Sequence, residues 1–382
     1  MHALATPSPA RDHLPFITLL RASAALLVLW SHLVGGWFYL NKGSWLPFDF
    51  VEANVNRPLG IVEFFGHFGV CLFFLVSGFI ITHVAQREDR LTFGVKRVLR
   101  IYPVLIASVF AFPLIGTYWS AWIGFPNQFT NVTNRLLFHS CTLLNFYSDR
   151  YWAINLAAWT LAIEMLFYGL CLILLPLIQR RPRTAISIEL AFVAFFIGLT
   201  RSTGKVQYFS ENVIFIPCLL IGQTMYFLRA GRISFRSAAL FCAAAYLLYI
   251  QGRGITRPDR AALEYERISS FVFAWLIFVI VMQSNHRLRL PRWINWTADI
   301  SYSMYLFHSM IAFPIMFTLH NRTPYELNLA VAVFAVLLVS YLSCRFIERP
   351  TQSLARWLLA FRNRQPTILQ LPAAATQHRA AA

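Results

Sequence analysis

Residues 15–37 read PFITLLRASAALLVLWSHLVGGW, 23 positions in which only Arg21 and His32 are ionisable. About 20 mostly apolar residues suffice for a helix to cross the hydrocarbon core of a bilayer. The run is too long for the apolar region of a secretory signal and has no convincing small-residue cleavage site, so it reads as a retained first span. Similar runs recur near 64–84, 98–119, 156–178, 186–201, 211–228, 235–251, 268–284, 299–318 and 327–346. The expectation is an all-α, polytopic membrane bundle of about ten helices. It has a short segment at 1–14, a transmembrane domain over 15–350 and a largely disordered tail over 351–382.

Composition and charge agree. A hydrophobic fraction of 58%, with only 13% charged residues, leaves too little polar surface for a soluble chain of 382 residues. The 11 Trp and 15 Tyr suit two lipid–water interfaces. A net charge of +17 raises nucleic acid as a partner, but its distribution favours membrane topology. Alternate connections between spans, with both ends of the chain, hold 21 Lys and Arg against four acids; the opposite loops hold 11 against nine. Basic loops mark the cytoplasmic side, so both termini are expected there, which requires an even number of spans. The long opposite loops, 38–63 and 120–155, are rich in Trp, Phe, Asn and Pro and are expected to form an outer vestibule. The six cysteines are scattered with no CxxC pair, and no cluster has metal-ligand spacing, so no disulfide framework and no metal are expected.

Ionisable groups inside spans are costly and mark candidate functional sites. Arg21 and His32 are 11 residues apart, three turns plus about 20°, and so share a helix face about 16 Å apart along the axis. Glu164 lies in the fourth span, AAWTLAIEMLFYGL, at a depth comparable with His32. A carboxylate and an imidazole meeting there would make a general base with an orienting acid. The blander readings are a snorkelling arginine, a histidine bonded to a neighbouring helix and a structural ion pair. Tyr302, Tyr305 and His308 share one broad face of the ninth span and either line a polar cavity or knit helices together. Lys96, Arg97 and Arg100 cluster in KRVLRIYP at a span start, where they suit lipid headgroups first and a polyphosphate second.

Together these segments resemble the acyltransferase 3 family of bacterial membrane O-acyltransferases. The stretches that carry the resemblance are LLRASAALLVLWSH ending at His32, FGVCLFFLVSGFIITH (68–83), KRVLRIYP (96–103), AWTLAIEMLFY (158–168), ISYSMYLFH (300–308) and IERP (347–350). The family's Arg, ten residues and His fall on Arg21 and His32. Many members have an acid shortly before that Arg and a Gly after it, where this chain has Thr18-Leu19-Leu20 and Ala22. The resemblance implies transfer of an acyl group, by default acetyl, from cytoplasmic acyl-CoA to a hydroxyl of a glycan or lipid-linked oligosaccharide at the bacterial inner membrane. It implies His32 as the transfer residue with Glu164 and Arg21 beside it, and Arg97 and Arg100, with Lys96, as contacts of the CoA phosphates. Ser77, Trp159, Tyr302, Tyr305 and His308 are expected to line the cavity. Acyl-CoA is the donor substrate and no cofactor is permanently bound; lipids and the glycan acceptor are the expected partners, and nucleic acid is not. The chain is expected to be a stand-alone member, without the extracytoplasmic esterase-like domain of larger relatives. A transporter, a flippase or a non-catalytic partner in polysaccharide export would also explain the spans and charges.

Overall fold

A computed structural model of the chain describes residues 14–123, 132–147, 153–204, 206–256 and 261–364. The segment 1–13, parts of the loop expected over 120–155 (124–131 and 148–152) and the tail 365–382 lie outside the described residues.

Ten helices stand where the ten apolar runs were expected. They are α1 (Pro15–Asn41), α2 (Gly66–Ala85), α3 (Arg90–Ile123), α4 (Trp159–Arg180), α5 (Pro182–Thr203), α6 (Ile216–Arg229), α7 (Phe235–Thr256), α8 (Ala261–Gln283), α9 (Arg292–Leu319) and α10 (Tyr325–Phe361). Among the described residues there is no strand, and eight helical segments are long and apolar enough to cross a membrane. The protein is therefore a multi-pass helical bundle. The other two expected spans are α7, whose apolar run is flanked by Arg236 and by Gln251 and Arg253, and α8, whose apolar part is the shorter Arg267–Gln283.

α2 is at the centre because it is apolar all round, and α1, α4, α6 and α8 pack around it. Its closest neighbour is α6, and two glycines permit the approach. A Cβ on Gly78 would occupy the place of the Leu219 carbonyl oxygen, and one on Gly222 that of the Leu75 carbonyl oxygen. Such small-residue seams let backbones meet where no hydrophobic effect drives helices together. On the other side α9 packs against α1, α3 and α10.

Two helices depart from the 3.6-residue period at places that matter for the site. Ser31–Gly36 of α1 and Cys344–Glu348 of α10 are π-helical, a wider turn that redirects the side chains it carries. The α1 segment is clamped by the turn before α2, where Glu63, Phe64 and Phe65 all have positive φ (54°, 51° and 73°). Ser31 donates to the Glu63 carbonyl at 2.6 Å, and Gly35 leaves room for the Phe64 side chain. Three consecutive left-handed residues with side chains cost about 1–2 kcal/mol each, which the surrounding packing must offset.

The expected tail needs a correction. The helix of α10 continues from Arg349 as far as Arg364, because RPTQSLARWLLAFRNR repeats apolar side chains at Leu354, Trp357, Leu358 and Phe361, the i, i+3, i+4, i+7 pattern of an amphipathic helix. The small Ala355 is buried, and this part of α10 packs on α3.

Candidate active site

A cavity of about 190 Å³ opens between α1, α2, α3, α4 and α9. Arg21, Arg97 and Arg100 enter it from two helices, Glu164 and Tyr168 from α4, Ser77 from α2, and Ser301, Tyr302 and Tyr305 from α9. Arg21 Nη2 donates to Ser301 Oγ at 3.0 Å. The Arg97 guanidinium stands 5.9 Å from the centre of the Phe93 ring, and its buried Nε has no hydrogen-bond partner. Glu164 accepts from the Tyr168 hydroxyl at 3.3 Å. Tyr302 donates to the Ile101 carbonyl at 2.7 Å and Thr160 to the Tyr305 hydroxyl at 2.9 Å, which ties α9 to α3 and α4.

Glu348 supplies the counter-charge. It is 4% exposed, accepts from Ser303 (3.3 Å) and Gln352 (3.1 Å), and acts electrostatically on both Arg100 and Arg21. Three guanidinium groups are thus set against two carboxylates, and the Nε of Arg97 is still unpaired. A buried donor without a partner is costly, so the arrangement favours an anionic guest with acceptor oxygens.

Farther along α1, His32 meets His308 of α9, with ring centroids 4.7 Å apart and planes at 65°. His32 Nδ1 lies 2.9 Å from the Val28 carbonyl, and His308 Nδ1 lies 2.7 Å from that of Tyr305. The pairs Arg21–Ser301 and His32–His308 advance together in both helices, so α1 and α9 run parallel and touch at two levels.

Four sequence expectations need correcting here. Glu164 does not meet His32. Thr160, a turn before Glu164, already bonds Tyr305, a turn before His308, so the register puts Glu164 at the level of Arg21. The carboxylate within electrostatic range of His32 is instead Glu63, which forms an ion pair with Arg267. Lys96 is outside the cavity, paired with Glu88 at 2.5 Å. Trp159 packs on Phe215 (5.1 Å) and Phe74 (6.4 Å) rather than lining the cavity. His308 also stays out of the lining, turned towards His32. Ser77, Tyr302 and Tyr305 do line it.

The model of a family described as an acyltransferase domain matches residues 14–345, nearly the whole membrane bundle. The chain belongs to the acyltransferase 3 family. It is also similar to nodulation protein 10 of Rhizobium leguminosarum bv. viciae, 26% identical over 384 residues that cover 90% of this chain and 95% of that protein. No solved structure matches it. Membership of the acyltransferase 3 family assigns acyl transfer to this bundle. Glu348 stands in IERP, between Arg345 and Arg349 in a basic stretch, and the π turn carries its carboxylate inward. Ser301 and Thr160 carry no charge to draw notice, and only the contacts between helices reveal them.

Proposed function

We propose that this acyltransferase moves an acyl group, by default acetyl, from acyl-CoA to a hydroxyl of a glycan such as an exopolysaccharide or its lipid-linked precursor. The observation that carries the reading is the convergence of Arg21, Arg97 and Arg100 on one cavity, with the paired imidazoles of His32 and His308 farther along α1 and α9. The guanidinium groups suit the phosphates of a CoA donor, and the Nε of Arg97 offers a hydrogen bond that no protein atom takes. The His32 hydrogen is held at Nδ1 by the Val28 carbonyl, so the Nε2 lone pair is available as a base. In the proposed step the acceptor oxygen attacks the thioester carbonyl while its proton passes to His32 Nε2. The new C–O bond replaces the C–S bond, and CoA leaves as the thiolate that finally takes the proton. A covalent acyl-His32 intermediate is the variant of the same chemistry. The asymmetry of basic loops supports a bacterial inner-membrane protein with both termini, and the donor, on the cytoplasmic side.

The test uses inverted membrane vesicles, radiolabelled acetyl-CoA and matched expression of the wild type and His32→Ala. The expected result is label on glycan or membrane material in the wild type and its loss in the variant. Equal labelling in both removes His32 from the chemistry. No labelling with any acyl-CoA, together with glycan movement across the vesicle wall, replaces the reading with a transporter.

A further inference from the structure

A base that takes a proton inside a membrane becomes a cation where solvation is poor, and something must stabilise it. The groups facing His32 are few. Glu63, in the strained turn before α2, acts on it electrostatically but is about half exposed and committed to Arg267. The buried neighbour is His308, which is 2% exposed.

The hydrogen positions of both rings follow from their backbone partners. Each Nδ1 lies against a carbonyl oxygen, Val28 for His32 and Tyr305 for His308. A carbonyl only accepts, so each Nδ1 carries the hydrogen, and in the neutral rings each Nε2 is a bare lone pair. The His308 Nε2 is buried and has no hydrogen-bond partner. While both rings are neutral, neither Nε2 has a hydrogen to offer the other. The unpaired acceptor then stands beside a ring that can become a cation. Two imidazoles joined by one N–H···N bond of about 2.9 Å would have centroids about 5 Å apart. The observed 4.7 Å, with the planes at 65°, is an edge-to-face contact that brings the His308 ring beside any charge that forms on His32.

We propose that His308 is the positioning residue for His32, stabilising through its Nε2 lone pair the imidazolium that His32 becomes during transfer. This rests on the reading of His32 as the base and adds a second residue to that centre. The charge of an imidazolium is spread over its N–H and C–H edge, so His308 helps without competing for the proton His32 has taken. His308 makes no bond to substrate in this scheme, and its proton inventory does not change. The unpaired Nε2 lone pair is then a partial negative charge held beside the imidazolium.

The experiment measures steady-state acetyl transfer by the full-length chain in nanodiscs, for wild type, His308→Phe, His308→Gln, His32→Ala and the His32→Ala/His308→Phe double variant. Phenylalanine keeps an aromatic edge without a lone pair, while the glutamine amide oxygen restores an acceptor. The expected result for His308→Phe is a fall in kcat of about 10- to 100-fold with the KM for acetyl-CoA unchanged. His308→Gln should recover most of that loss. In the His32→Ala background, His308→Phe should cost nothing further, because a residue that acts through His32 has no role once it is gone. Should His308→Phe fail to elute as a single peak, His308→Leu takes its place in the same cycle. Full activity in the lone-pair-free variant, equal losses for Phe and Gln, or the same fold loss with His32 absent each overturn the proposal. An active His32→Ala is a different failure, that of the underlying reading.

Discussion

Glu348→Gln should destabilise the empty protein and tighten its grip on the donor, two opposite effects of one missing charge. Among the carboxylates that act on Arg100, Glu348 acts most strongly, ahead of Glu164, and it acts on Arg21 as well. The substitution keeps the side chain's shape and an oxygen to accept from Ser303 or Gln352. Stripping one partner from a fully buried ion pair costs about 3–5 kcal/mol. Glu348 acts on Arg100 electrostatically rather than through a hydrogen bond, and Arg100 keeps Glu164, so about 1–3 kcal/mol is the better figure, the size of such an attraction at an effective dielectric constant of about 20. At about 2–4 °C per kcal/mol, the empty variant should melt several degrees below the wild type. A donor that brings phosphates then meets three guanidinium groups with one carboxylate fewer. A tenfold fall in Kd would return about 1.4 kcal/mol at saturating donor. The assay is a thermal scan in nanodiscs with and without acetyl-CoA, with phosphate-free acetyl-pantetheine as control. Unchanged melting of the empty variant, or a smaller rise with acetyl-CoA than the wild type shows, would refute this account of the cavity.

Arg97→Met should lose most of the acetyl-CoA-induced thermal shift, whereas Lys96→Met should keep it, because Lys96 is paired with Glu88 outside the cavity; the same scan separates them. Gly78→Ala puts a methyl where the Leu219 carbonyl stands and should cost about 1–3 kcal/mol in the α2–α6 seam, while Gly169→Ala, with open space around it, should stay within about 0.5 kcal/mol; melting of the two variants side by side checks this. Ser31→Ala removes the bond to Glu63 that ties the π turn to the strained turn, and should cost about 1 kcal/mol and lower kcat with the donor shift intact.

The membrane fold was legible because its signal is long and cumulative. Each span is a run of apolar residues bounded by loops of alternating charge, and the bilayer leaves a hydrophobic run few alternatives to a helix. The charged residues in spans were legible for the same reason, since Arg21 in LLRAS has no place in lipid. What the sequence could not supply was register between helices. Measured from the expected ends of their spans, Glu164 and His32 lie at comparable depth. The contact of Thr160 with Tyr305 shifts α4 by more than a turn from that estimate and leaves the carboxylate beside Arg21. The π turns escaped for a related reason: a reading at 3.6 residues per turn assumes one period throughout, although Gly35-Gly36 was a hint of a local departure. The spacing of Tyr302, Tyr305 and His308 marks a polar face that either lines a cavity or knits helices, but not the partner of His308, because pairing across helices depends on packing rather than on spacing within either sequence.

The division of the site along α1 has a mechanical consequence for the proposed reaction. Arg21 and His32 are fixed about 16 Å apart by one helix, a length that an extended pantetheine arm is able to bridge. A single helix in lipid would tilt and bend, and such a spacing would drift. Here α9 lies parallel to α1 and holds it at both levels, through Ser301 below and His308 above. The Glu63–Phe65 turn fixes the upper end again through Ser31. A helix braced at both ends is a ruler, and its two marks are the phosphate-facing arginine and the transfer histidine. Strain in three left-handed residues is a cost that makes sense next to a group whose position must be set to a fraction of an ångström. The same strain would be hard to understand in a loop that merely joined two spans.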